Sequence, residues 1–115
     1  MRIVIVYGGD GVRRSVEECL GLREPEYQVE MFSTPGAALE TIYQPEFLEQ
    51  GLLLIGFEFA SSGISARDLL ADLPMPRGRV IRMSVLERLP FELNGHECIR
   101  PEVREIRQAI KRAEA

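Results

Sequence analysis

Four residues near the start of the chain, Gly8-Gly9-Asp10-Gly11, follow the apolar run from Ile3 to Tyr7 and precede a stretch with helical spacing. A strand, a glycine loop and a helix in that order bring backbone N–H groups to a helix start, where they can hold phosphate. Arg13 and Arg14 add positive charge, so Gly9, Gly11 and Arg13 form a candidate anion-binding loop. As a dinucleotide fingerprint it is incomplete, because Gly9-x-Gly11 runs on to Arg14 without a third glycine. Asp10 is placed to cap the helix that follows. Three further polar residues, Glu58, Ser84 and Arg100, stand at the ends of later apolar runs. His96 is the only histidine, which excludes a cluster of several histidines around a metal, and beside Gly95 it reads as a turn residue and not as the base of a triad. Cys19 lies on an apolar helix face and Cys98 opens a strand, so both read as core. Their spacing suits neither a metal site nor a disulfide framework.

These residues must be positioned by a single domain, which is what 115 residues allow. With 45% hydrophobic and 28% charged residues the composition is that of an ordinary globular protein. The net charge of -4, with no clustered basic face, argues against direct binding of nucleic acid. No apolar run approaches the roughly 18 residues of a membrane span, and Arg2-Ile3-Val4-Ile5-Val6 is too short for a signal peptide. The expected compartment is the reducing cytoplasm.

Apolar runs alternate with helical periods. Ile3 to Tyr7 reads as a strand covered on both faces, and Val12, Val16, Cys19 and Leu20 as the apolar face of a helix. Tyr27 to Phe32 alternates as a second strand. Ser33-Thr34-Pro35 then starts a helix whose face is Ala38, Leu39, Ile42 and Tyr43, and Pro45 stops it. Leu52 to Phe59 is a central strand, and Ala66, Leu69, Leu70 and Leu73 mark a helix closed by Pro74. Arg77-Gly78-Arg79 reads as a solvated loop before a fourth strand, Val80 to Val85. Cys98-Ile99 is a short fifth strand, cut by Pro101. Val103, Ile106, Ile110 and Ala113 are the inner face of a last helix, whose charges suit its dipole. The expected fold is therefore a doubly wound, five-stranded parallel sheet, with ligands at the carboxyl ends of the strands.

This order and length of elements resembles the receiver domain of two-component response regulators over nearly the whole chain. That family has a flavodoxin-like (CheY-like) sheet. It binds magnesium through an acidic pair after the first strand and is phosphorylated on an aspartate after the third. A hydroxyl follows its fourth strand and a lysine-proline its fifth. Ser84 in "VIRMSV" matches the hydroxyl, and Arg100-Pro101 in "CIRPEV" matches the lysine-proline with arginine in place of lysine. The departures are Tyr7 and Gly8 where the acids belong and, where the phosphoacceptor belongs, Glu58 by the ungapped match or Gly56 or Phe57 with a shift of one or two residues, in no case an aspartate. An aromatic residue usually stands three before the lysine, and Glu97 holds that place. Magnesium wants hard oxygen ligands, which Tyr7 and Gly8 do not supply as carboxylates. Phosphoryl transfer to a carboxylate needs that cation.

The resemblance thus implies a degenerate pocket of Tyr7, Gly8, Asp10, Glu58, Ser84 and Arg100, in which Glu58 and Arg100 pair permanently or else point to solvent. It implies no enzyme activity, no cofactor, and regulation that does not depend on phosphorylation. The partner is a protein or a covalently linked output domain, such as that of a bacterial transcription regulator, and the chain pairs as a homodimer. The family's contact surface, the edge made by the fifth strand and last helix, would here use Arg104, Arg107, Gln108 and Lys111. Only eleven residues separate Leu86 from Cys98, so the fourth helix of the family must be short or missing, which would uncover Leu89, Phe91 and Leu93. A competing reading starts from "GGDG", which also resembles the phosphate loop of diacylglycerol and NAD kinases. In it the chain is a small anionic effector- or nucleotide-binding domain using the Gly8 to Gly11 loop, although Val12 stands where those enzymes place a hydroxyl.

Overall fold

Continuous apolar segments, each too short for a helix of its own, line up side by side in the computed structural model. It describes residues 2–7, 28–56, 66–71, 73–83, 92–93, 96–100 and 102–114. The strands are β1 (Arg2–Val6), β2 (Gln28–Phe32), β3 (Leu52–Gly56), β4 (Val80–Met83), β5 (Glu92–Leu93) and β6 (His96–Ile99). The helices are α1 (Pro35–Ile42), α2 (Pro45–Gln50), α3 (Ala66–Ala71) and α4 (Val103–Glu114). The protein is thus α/β, with an open sheet in the order β2-β1-β3-β4-β6-β5. Its first five strands in that order are mutually parallel, as expected from the apolar runs.

Side chains alternate between the two faces of a strand, and the core divides accordingly. Ile3, Ile5, Leu52, Leu54, Ile81, Met83 and Ile99 face α4, where Ile106, Ala109 and Ile110 complete one apolar cluster. Val4, Val6, Leu53, Ile55 and Val80 face the other way and pack with Ala38 and Ile42 of α1, Phe47 of α2 and Leu69 of α3. Each fully buried aliphatic side chain contributes roughly 1.5–3 kcal/mol. Met31, Met75 and Met83 all pack against these clusters, and Cys98 is buried, as the sequence suggests.

Local signals set the helix ends. The Thr34 hydroxyl oxygen accepts a hydrogen bond from the Ala37 N–H at 3.3 Å, and Pro35 takes the first turn, where its missing N–H costs nothing. Pro45 ends one helix and opens the next, so the stop expected there is also a start, and α2 was not foreseen. Gly51 then turns the chain into β3, its N–H donating to the Phe47 carbonyl at 2.7 Å. A Cβ at this position would stand 2.3 Å from the Phe47 ring, so the close approach requires glycine. In α4, Glu105 lies in the first turn and Lys111 and Arg112 in the last, matching the helix dipole, and Arg112 pairs with Glu97 of β6.

Three expectations need correction, while the expected lack of a full fourth helix agrees with the described residues. The fifth parallel strand, β6, is not an edge, because β5 pairs antiparallel along it in the register Glu92↔Glu97 and Leu93↔His96. Of the span expected to lack a full helix, the described residues 92–93 and 96–97 are strand. His96 is no turn residue; it opens β6, because the backbone after Gly95 is already extended and paired. Arg77–Arg79 is not a solvated loop but one turn of 3₁₀ helix, held by the Arg79 N–H donating to the Pro76 carbonyl at 3.0 Å. The Arg79 side chain also donates to the Glu49 carbonyl oxygen, which ties that turn to the end of α2.

Candidate functional site

In an open parallel sheet the carboxyl ends of the strands form the natural binding edge. Here β1 ends at Val6, β3 at Gly56, β4 at Met83 and β6 at Ile99. Tyr7 follows β1 directly. Its N–H donates to the Phe32 carbonyl at 3.0 Å, which continues the β1–β2 ladder by one bond. Its half-buried side chain packs against the α4-side cluster, the face its position along the strand dictates. The ring therefore extends the core at the end of β1.

Arg100 follows β6 directly and is half-buried. Its carbonyl accepts the Glu102 N–H at 2.8 Å in the turn that leads into α4, and its side chain makes an interaction of its own. Tyr7 and Arg100 stand on strands three places apart, about 14 Å at the usual strand spacing, with the ends of β3 and β4 between them. The other pocket residues, Gly8, Asp10, Glu58 and Ser84, lie outside the described residues, and with them the Glu58–Arg100 pair. Gly9, Gly11 and Arg13 of the anion loop lie outside them too, as does Phe91. On α4, Arg104, Gln108 and Lys111 are exposed as expected, whereas Arg107 is half-buried and engaged in an interaction.

Sequence reasoning missed Arg82. It occupies β4 one residue before the strand ends, yet is only 2% exposed. Its strand neighbours Ile81 and Met83 face α4, so alternation turns Arg82 to the opposite face. There it lies in register between Ile55 of β3 and Cys98 of β6. Cys98 is a free thiol, its Sγ 3.9 Å from the His96 carbonyl oxygen. A guanidinium remains charged at any ordinary pH and carries five donors in a planar fork. Burying it is costly unless its charge is met by an anion or by acceptors, and the Arg82 side chain does make an interaction. The signal was present in "VIRMSV": one permanently charged residue inside an otherwise apolar strand.

The described part of this edge thus offers a phenol and two guanidinium groups. Of the two guanidinium groups only that of the half-buried Arg100 lies at the strand end, where it can pair with a carboxylate, whereas Arg82 is buried within β4. Among the described residues no three His, Cys, Asp or Glu side chains come together as metal ligands. None of their helices is long and apolar enough to cross a membrane. Comparison of the chain with protein-family models, with curated proteins and with solved structures returns no match.

Proposed function

We propose that this chain is a phosphorylation-independent interaction module of receiver type. It is a flavodoxin-like domain that acts in the cytoplasm as the regulatory unit of a signalling protein, and not as an enzyme. The strand order β2-β1-β3-β4-β6 is that of flavodoxin-like sheets, which supports the first half of the reading. The observation that carries the second half is Tyr7. It stands at the end of β1 with its ring committed to the α4-side core, where a phosphorylated receiver needs an acid for its cation. With the transfer chemistry gone, what such a domain retains is its surface. The partner, a protein or a linked output domain, meets the outer face of α4 through Arg104 and Lys111, both exposed.

The test is incubation with acetyl phosphate and magnesium, followed by intact-mass measurement. The expected result is an unchanged mass and no magnesium-dependent thermal shift. Stoichiometric acid-labile phosphate on Glu58 or any other residue would refute the reading. A thermal shift with nucleotides or small phosphates would instead favour an effector site at the Gly8 to Gly11 loop, since a ligand in hundredfold excess over its Kd stabilises by about 2.7 kcal/mol.

A further inference from the structure

Charge is not spread evenly over this molecule. α4 carries Arg104, Arg107, Lys111 and Arg112 against Glu105 and Glu114, a positive surplus within a chain of net charge -4. Its inner face is fixed by Ile106, Ala109 and Ile110. The outermost stripe, at spacings of four and three residues, is therefore Arg104, Gln108 and Lys111, all exposed and without a carboxylate among them. The opposite side of the sheet has the reverse character. The described segment from residue 28 to residue 56 holds four glutamates, Glu30, Glu40, Glu46 and Glu49, and no lysine or arginine. Glu40 of α1 and Glu46 and Glu49 of α2 are exposed on the helices covering that side. Between them stands Tyr43, 43% exposed and the one exposed large hydrophobic side chain among the described residues. The nearest cations are occupied at the rim: Arg2 pairs with Glu30 at 3.0 Å and donates to Gln44 at 2.7 Å, and Arg79 donates to the Glu49 carbonyl.

We propose that the acidic α1–α2 surface around Tyr43 is the docking site for the α4 stripe of a second copy of this chain, in a head-to-tail contact. Complementary charge selects this pairing. A symmetric contact through α4 alone would set Arg104 and Lys111 against their own copies, and juxtaposed like charges disfavour association. Tyrosine and arginine are the side chains most often found as anchors of protein interfaces, and a cation over an exposed ring adds attraction. The two surfaces lie on opposite faces of one sheet, so a single pair cannot satisfy both. The contact propagates, giving open chains of copies or a closed ring. The inference rests on the proposed function only in taking the outer face of α4 as a contact surface.

Sedimentation of the full chain over a range of concentrations tests it. The unaltered protein should form species that grow past the dimer at low salt. It should return to monomer near 1 M salt, where the Debye length falls to about 3 Å. Arg104→Glu with Lys111→Glu should be monomeric, and so should Glu40→Lys with Glu49→Lys. An equimolar mixture of the two variants should associate again, because each then offers what the other lacks. Tyr43→Ala should weaken association about tenfold. All these side chains are exposed, and circular dichroism checks that each variant is folded. A monomer at every concentration and salt, a salt-resistant dimer untouched by either reversal, or a mixture that stays monomeric would each overturn the inference. None of those results bears on phosphoryl uptake, whose detection would remove the proposed function and leave this assembly standing.

Discussion

The two faces of the sheet are built differently. Among the described residues, one is covered by α4, a helix of 12 residues whose stripe of Ile106, Ala109 and Ile110 packs into an apolar cluster. The other is covered by α1, α2 and α3, of 8, 6 and 6 residues, and carries a buried arginine on β4. A long amphipathic helix is specified by its repeated pattern, and no single residue is decisive. Helices of one or two turns are marginal by themselves. They depend on single residues that begin them, end them or fit them to the sheet: Thr34, Pro35, Pro45 and Gly51. The first face should therefore yield gradually to substitution, and the second at particular points.

The largest effect should come at Arg82. Arg82→Ala removes a buried charge and strands whatever meets it, and should cost about 3–5 kcal/mol in denaturant unfolding. Arg82→Met keeps most of the volume without the charge and should lose nearly as much; a much smaller loss would mean that packing, not charge, is what the site needs. Gly51→Ala forces the Phe47 ring to move and should cost about 1–3 kcal/mol, read from the urea midpoint. A neutral result would show that α2 adjusts as freely as α4. Thr34→Ala removes the α1 cap and should lower stability by about 1 kcal/mol, whereas Thr34→Ser should be nearly silent. The smallest change should be Arg112→Ala on the α4 face, where the pair with Glu97 is about half exposed and worth less than about 1 kcal/mol. A loss there as large as at Gly51 would erase the distinction between the faces.

The same contrast explains what could be read from the sequence. β1, β3 and β4 announce themselves as apolar runs, and α4 by its stripe and its terminal charges, because burial on this scale needs a repeated pattern. The second short helix gave no such warning. Proline is a breaker in the middle of a helix and a favoured opener at its first turn, so Pro45 carries both meanings and only the tertiary contact of Phe47 selects one. β5 is two residues long, below any periodicity, and exists by pairing with β6. At the carboxyl edge of the sheet, Tyr7 and Arg100 are legible because they flank apolar runs. Arg82 sits inside one, where a single charged residue among apolar neighbours breaks no periodicity and marks no strand end.

β5 also bears on how the chain reaches this structure. Its partners in β6 are close along the sequence, with Glu92 opposite Glu97, whereas β3 and β4 join Leu53 to Val80 across a long intervening segment. A local hairpin forms in roughly 1–10 μs. Parallel pairing must first close a long loop, and that entropy slows it. Once made, the hairpin presents β6 to β4 as half of a ribbon. A β6 that reached β4 in that order would have one side of its ladder already bonded.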